Sequence, residues 1–165
     1  MLKPQDILVL LKLVVAPGEW SYAALAQALG MSPSEVHTAV CRASASGLLD
    51  PATRRPNRQA LLEFLVHGLS FVFPAERGGI SRGLPTANAA SPLKELIAGG
   101  EIVPVWPDPE GEVRGEAFRP LYRSVPVAAR NDPALYELLS LVDAIRGGRA
   151  RESELAIREL QDRLG

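Results

Sequence analysis

The chain has 165 residues and a formal net charge of −1, with 47% hydrophobic and 22% charged residues. These values are ordinary for a globular protein that forms one large domain or two small ones. They argue against a membrane span, because Lys12 interrupts the longest apolar stretch, which also lacks the cleavage site of a secretory signal. The one cysteine, Cys41, cannot form an internal disulfide. We therefore expect a cytoplasmic protein with no membrane partner.

Two helices are predicted in the first thirty residues. Apolar residues recur at helical spacing between Pro4 and Val15, which predicts the first helix. The second is predicted from Tyr22 to Leu29, because Ser21 can cap its first turn and Gly30 can end it with a positive φ.

A third helix is predicted directly afterwards, over residues 33 to 47. Ser32, Pro33 and Glu35 form a capping box with proline at the first helical position, which specifies the start of the helix twice. One arc of this helix is small and apolar and is expected to face the core: Val36, Ala39, Val40, Ala43 and Gly47. The second and third helices, joined by a tight turn, form a predicted helix-turn-helix.

The opposite face of the third helix is small, polar and lightly charged. Such a face suits a helix in the major groove of DNA, whereas a solvated helix usually carries more Lys and Glu. The candidate DNA-binding residues on this helix are Ser32, Ser34, His37, Thr38, Cys41 and Arg42. Two of them have alternative interpretations: Cys41 could be a redox-sensitive thiol or simply a small residue, and His37 could be structural.

Residues 4 to 50 resemble the winged-helix DNA-binding domain of the MarR-type transcriptional regulators. The positions that carry the resemblance are Leu25-Ala26, Leu29-Gly30, Ser32-Pro33-Ser34, Val36, Ala39-Val40 and Gly47-Leu48-Leu49. The resemblance implies a recognition helix at residues 33 to 47 and a support helix at 22 to 29. It also implies a basic β-hairpin wing after Leu49 and dimerisation through terminal helices.

The stretch that corresponds to the wing departs from the family pattern. Residues 50 to 58 contain Pro51 and Pro56, which disfavour a long paired strand, so an irregular loop is expected. This stretch contains three further candidate DNA-binding residues, Arg54, Arg55 and Arg58. They could contact phosphates beside the recognition helix, or the stretch could be a solvated basic linker.

The middle of the chain is predicted to form a helix and a small antiparallel sheet. The predicted elements are a helix at 59 to 67, strands at 69 to 73, 102 to 106 and 113 to 118, and a Gly/Ser/Pro-rich loop at 75 to 93. In that loop, Glu76, Arg77 and Arg82 are a possible ligand or partner site, since glycines let backbone N–H groups approach an anion. The known phosphate-loop patterns are lacking.

The C-terminal part is predicted to be helical. Asp132 and Pro133 begin a helix that ends near Gly147, and a last helix runs from about Ala150 to Leu164. The last helix has a narrow apolar stripe formed by Ala156, Ile157, Leu160 and Leu164. The stripe could pack within the chain or on a second copy.

Charge is distributed unevenly along the chain. Residues 1 to 60 contain six Lys or Arg against four Asp or Glu, whereas residues 61 to 125 contain six against eight. The asymmetry is in the direction that DNA binding requires, but it is small. Useful affinity for DNA would therefore require a dimer that contacts two half-sites.

The sequence thus predicts an α+β, mostly helical fold with three segments. An N-terminal winged helix-turn-helix region (1–67) is followed by a small β-containing region (68–123) and C-terminal helices (124–165). The leading interpretation is a sequence-specific transcriptional regulator that binds double-stranded DNA as a homodimer, without cofactor, metal or catalysis. The alternatives are a protein-interaction adaptor or antitoxin-like module on the same fold, and an enzyme that uses the loop from Glu76 to Gly83.

Overall fold

The computed structural model describes residues 1–16 and 18–165, and its fold is α+β and mostly helical, as predicted. The helices are α1 (Pro4–Val15), α2 (Tyr22–Leu29), α3 (Pro33–Ala45), α4 (Arg58–His67), α5 (Leu69–Val72), α6 (Leu93–Leu96), α7 (Val125–Asn131), α8 (Pro133–Gly147) and α9 (Ala150–Leu164). The strands are β1 (Leu49–Asp50), β2 (Arg55–Pro56), β3 (Arg77–Pro85), β4 (Pro104–Pro107) and β5 (Val113–Phe118). Within the described residues, no helix combines the length and apolar character needed to cross a bilayer.

The predicted caps of the helix-turn-helix are confirmed. Ser21 Oγ accepts a bond from the Ala24 N–H at 3.1 Å, and Gly30 ends α2 with a φ of 65°. Ser32 Oγ accepts from the Glu35 N–H at 3.1 Å, while the Ser32 N–H donates to Glu35 Oε2 at 2.7 Å. These bonds satisfy backbone donors that the first helical turn leaves free.

Helix α3 ends at Ala45, two residues before the predicted end. Val36, Ala39, Val40 and Ala43 are buried, as expected. The prediction that Gly47 also faces the core is wrong, since Gly47 lies beyond the helix with a φ of 80° and is exposed. Glycine is suited to this left-handed turn because it has no Cβ to clash.

The core extends from α1 to α9. Helix α1 is buried almost all round, because α3 packs on one side of it and α8 on another. Helix α9 packs against α8 and α4. Of the four residues of its apolar stripe, Ala156, Leu160 and Leu164 are therefore buried within the chain, and Ile157 is partly buried against the same core. The internal interpretation of the α9 stripe is confirmed, and this stripe does not provide a surface for a second copy.

A minimal hairpin occupies the position of the wing. Strands β1 and β2 pair antiparallel, with Leu49 opposite Pro56 and Asp50 opposite Arg55. The prediction of an irregular loop is therefore wrong, although the expected shortness is confirmed. Pro56 has no N–H to donate, which limits how far the ladder can extend.

The prediction of a strand at residues 69 to 73 is wrong, because this stretch contains α5. Leu61, Leu65 and Leu69 are all fully buried and lie four residues apart, so the helical spacing continues across Gly68 into α5. Gly68 has a φ of −117° and does not turn the chain into an extended conformation. The spacing, and not the glycine, determines the local structure here.

The predicted loop at 75 to 93 is also wrong in its first half, which forms β3. Strand β3 pairs antiparallel with both β4 and β5, so these two run parallel to each other and not as the predicted antiparallel pair. Glycines allow this tight closure. A Cβ at Gly83 would lie 1.9 Å from the Trp106 carbonyl oxygen, and one at Gly115 would lie 2.0 Å from that of Val103.

A buried carboxylate connects the small sheet to α8. Asp143 Oδ2 accepts bonds from Thr86 Oγ1 and Trp106 Nε1, each at 2.7 Å. Asp143 Oδ1 pairs with Arg146 at 2.9 Å, and only 2% of the Asp143 side chain is exposed. Because a buried charge is tolerated only with such partners, this network fixes the sheet against the helical core.

Candidate nucleic-acid interface

The polar face of α3 is directed to solvent and is not covered by the C-terminal half of the chain. Ser34, His37, Thr38 and Cys41 are exposed, opposite the buried face of the same helix. Ser32, at the N-cap, is exposed as well. The sequence therefore placed these five side chains on the correct side of the helix.

Hydrogen bonds within this face determine what it can offer a partner. The Thr38 hydroxyl donates to the Ser34 carbonyl oxygen at 2.9 Å, so Thr38 presents its acceptor lone pairs and its methyl group. Ser32 Oγ and Ser34 Oγ are 3.2 Å apart, and Cys41 Sγ is 3.9 Å from His37 Nδ1. The face can therefore accept from base amino groups and contact thymine methyl groups.

The segment between β5 and α7 anchors the first turn of α3. Glu35 Oε1 accepts from the Tyr122 hydroxyl at 2.6 Å and from Arg123 at 2.9 Å. The bond from the Ser32 backbone N–H, together with those from Tyr122 and Arg123, lowers the pKa of Glu35 from 4.5 to about 2. Sequence reasoning missed Tyr122 and Arg123, since they lie almost ninety residues from Glu35 and no local signal marks them.

The structure gives no support to the prediction that Arg42 contacts DNA, because the Arg42 side chain is engaged within the chain. Its guanidinium makes two bonds to Asp6 of α1, from Nε to Oδ2 and from Nη2 to Oδ1, both at 2.8 Å. Asp6 is fully buried, and a buried carboxylate requires such a partner. Arg42 is therefore directed toward α1, and its role in the fold is to neutralise Asp6.

Arg55 and Arg58 are likewise engaged within the chain, so the structure does not support their prediction as phosphate contacts either. Both guanidinium groups donate to carbonyl oxygens near the C-terminal ends of helices, where backbone acceptors lack partners. The acceptors are Leu13, Ala16 and Gly18 for Arg55, at 2.7 to 3.2 Å, and Val14 and Arg163 for Arg58, at 3.2 and 3.1 Å. These two arginines hold α1, the hairpin and α9 together.

Arg54, at the tip of the hairpin, is exposed and lies on an aromatic row. Its guanidinium carbon is 4.0 Å from the centre of the Trp20 ring, and Trp20 Nε1 donates to its carbonyl oxygen at 2.8 Å. Trp20 packs edge-on against Tyr22 with 5.3 Å between the ring centroids, and the Tyr22 and His37 ring centroids are 5.1 Å apart. The row connects the hairpin tip to the face of α3. Its only sequence signal is that two aromatic residues flank the capping Ser21.

Arg54 has a φ of 58°, which is uncommon for a residue with a Cβ. The bond from Trp20 and the stacking of the guanidinium on the indole hold this conformation. Strained backbone positions cluster at functional sites, where the surrounding structure maintains them. Trp20 therefore keeps the Arg54 side chain beside the polar face of α3.

The predicted ligand site at Glu76, Arg77 and Arg82 does not assemble. Glu76 pairs with Arg119 at 2.7 Å, and Arg77 pairs with Glu116 at 3.2 Å. Arg82 is exposed on β3 and makes no ion pair with the described residues. Arg77 and Arg82 belong to β3, and Glu76 directly precedes this strand. The three side chains have separate surroundings, so they do not converge on one ligand.

An open cleft of about 600 Å³ lies beside the start of α9. Five of its lining residues are charged and carry both signs: Arg77, Glu101, Glu116, Arg149 and Glu152. Arg77 and Glu116 pair with each other, and Glu152 accepts from the Arg149 N–H at 3.0 Å. Among the residues that the structure describes, no three His, Cys, Asp or Glu side chains form a potential metal site.

Comparison of the chain with protein-family models, with curated proteins and with solved structures gives no match. The resemblance of residues 4 to 50 to the MarR-type domain therefore depends on the residues of this chain alone. Function has to be argued from the geometry of its surfaces.

Proposed function

We propose that this protein is a sequence-specific DNA-binding transcriptional regulator that places α3 in the major groove. The observation that carries the proposal is the exposed row of small polar side chains on α3: Ser34, His37, Thr38 and Cys41. Short side chains let a helix approach base edges closely, and polar groups near its N-terminus can contact bases and phosphates. The resemblance to the MarR-type winged-helix domain supports the same assignment.

The side chains have different proposed roles. Thr38 and His37 face the bases, while Ser32 and Ser34 contact the backbone at the start of the helix, where the helix dipole favours a phosphate. Arg54 contacts a flanking phosphate from the hairpin tip. Arg42, Arg55 and Arg58 have no direct role in this proposal, because their guanidinium groups are bound within the chain.

We also propose that the regulator acts in the cytoplasm as a homodimer. One recognition helix with few phosphate contacts gives modest affinity, whereas two linked half-sites multiply it. The dimer must use a surface other than the α9 stripe, which is buried in the core.

Selection of bound duplexes from a random pool tests the proposal directly. We expect an enriched inverted repeat, and an affinity for it that falls steeply as salt rises. Thr38→Ala should cost about 1 to 3 kcal/mol on the selected site, because a base contact is lost. Failure to enrich any sequence, or an affinity that does not respond to salt, would refute DNA binding.

A second candidate function is a protein-interaction module, such as an adaptor or an antitoxin-like partner. It is favoured by the internal engagement of three arginines around the helix-turn-helix, which leaves the candidate interface with little positive charge. In that case α3 would pack against another protein, and binding would be nearly independent of salt.

A further inference from the structure

The arginines between residues 68 and 148 divide into two groups. Five of the seven form ion pairs with carboxylates, namely Arg77, Arg119, Arg123, Arg130 and Arg146. The other two, Arg82 and Arg114, make no ion pair with any residue that the structure describes. Both are exposed, and they are directly opposite each other in the pairing of β3 with β5.

This arrangement places two like charges on one face of the sheet. Side chains of directly opposed residues in an antiparallel pair emerge on the same side, with Cβ atoms about 4.5 to 5.5 Å apart, and like charges there are destabilising. The next pair on this face is Ile80 and Glu116, and Arg77 already binds the Glu116 carboxylate. Glu112, two residues before Arg114, is within ion-pair distance of neither arginine. No carboxylate of the described residues therefore neutralises Arg82 or Arg114.

We infer that Arg82 and Arg114 bind phosphates of the nucleic-acid backbone and extend the DNA contact beyond α3. The inference depends on the function proposed above. Paired guanidinium groups match phosphate oxygens through bidentate hydrogen bonds. DNA is the favoured occupant because the helix-turn-helix retains few free cations for a polyanion, and this pair supplies two.

The distance along the chain is compatible with a shared duplex. Arg114 is nine residues before Arg123, which spans at most about 30 Å of extended chain. Arg123 contacts Glu35 in the first turn of α3. The arginine pair therefore lies within about 30 Å of Arg123, which is less than one turn of B-DNA, about 34 Å.

The test compares the salt dependence of DNA binding in matched double variants. The probe is a duplex of about three helical turns that contains the selected site, titrated between about 50 and 200 mM salt. Arg82→Ala with Arg114→Ala should reduce the slope of log affinity against log salt by about 1.8, because two phosphate contacts are lost. Arg82→Lys with Arg114→Lys should retain most of the slope.

The control, Arg151→Ala with Arg158→Ala, removes the same charge from the exposed side of α9 and should leave the slope unchanged. If the wild-type protein binds DNA and the Arg82/Arg114 variant has the wild-type slope, the inference is wrong and the proposed function stands. If the wild-type protein binds no duplex, both are wrong. Binding of polyglutamate that the same variant loses, with an unchanged DNA slope, would assign the pair to an acidic protein partner and overturn the inference.

Discussion

Three of the four arginines of the helix-turn-helix region, and the two arginines paired across β3 and β5, have opposite surroundings. Arg42, Arg55 and Arg58 bind carboxylate or carbonyl oxygens of their own chain, whereas Arg82 and Arg114 face solvent without a carboxylate partner among the described residues. The number of basic residues near α3 in the sequence therefore does not show how many cations are free to bind an anion. Partner atoms decide whether an arginine stabilises the fold or remains free for a ligand.

The largest effect on stability is expected when the buried ion pair between Arg42 and Asp6 is broken. Arg42→Ala leaves the fully buried Asp6 carboxylate without its guanidinium and should lower the free energy of unfolding by about 3 to 5 kcal/mol. Chemical denaturation measures this change. In a double-mutant cycle with Asp6→Ala, a coupling energy near zero would contradict the structural role of Arg42.

The stability of the sheet formed by β3, β4 and β5 should be most sensitive to substitution where two backbones lie close together. Gly83→Ala places a Cβ against the Trp106 carbonyl oxygen and should destabilise the protein by about 3 kcal/mol, the upper end for overpacking. Gly79→Ala is the matched control, since a Cβ there meets nothing within 4 Å. Equal unfolding midpoints for the two variants would show that β3 and β4 do not pair as described.

Two neighbouring arginines of the hairpin, Arg54 and Arg55, are expected to differ in the same way. Arg55→Ala loses its bonds to carbonyl oxygens at the end of α1 and should cost about 2 kcal/mol of stability, with unchanged DNA affinity of the folded protein. Arg54→Ala should change stability by less than about 1 kcal/mol but weaken DNA binding about tenfold. If Arg55→Ala weakened DNA binding and Arg54→Ala destabilised the fold instead, the proposed phosphate contact of Arg54 would be wrong.

The smallest effect concerns the anchor of α3 and depends on pH. The pKa of Glu35 is lowered from 4.5 to about 2, so the folded protein binds fewer protons there than the unfolded chain. This contribution to stability is present above pH 4.5 and is lost as the pH falls toward 2. Glu35→Gln should remove it, and Tyr122→Phe should weaken it. If the unfolding midpoints of the wild type, Glu35→Gln and Tyr122→Phe fell equally between pH 4.5 and 2, the stabilising role of the Glu35 contacts would be contradicted.

The elements that the sequence predicted correctly are those with local signals. The capping box of Ser32, Pro33 and Glu35 involves four consecutive residues, and it determined the start of α3 correctly. Strand β3 was missed because its glycines look like a loop until the closing partner strand is known. In the same way, the spacing of Leu61, Leu65 and Leu69 shows that α5 is helical only when Gly68 is not assumed to end the pattern.

The candidate site also contains features with local sequence signals and features that depend on distant contacts. The outward face of α3 follows from helical periodicity, which is local. The partner of Arg42 is thirty-six residues away, and that of Arg123 is eighty-eight residues away, so only the tertiary structure shows that these cations are engaged. Trp20 was missed because its contact with Arg54 joins two turns that are separate in the sequence.

The reactivity of Cys41 shows whether the exposed face of α3 contacts DNA. It is the one cysteine in the chain and is exposed on the face of α3 proposed to enter the groove. We expect the selected duplex to slow modification of Cys41 by a maleimide several-fold, while a duplex with a scrambled site has little effect, and Cys41→Ser to retain DNA binding. An unchanged modification rate with the selected duplex fully bound would show that DNA contacts a different surface.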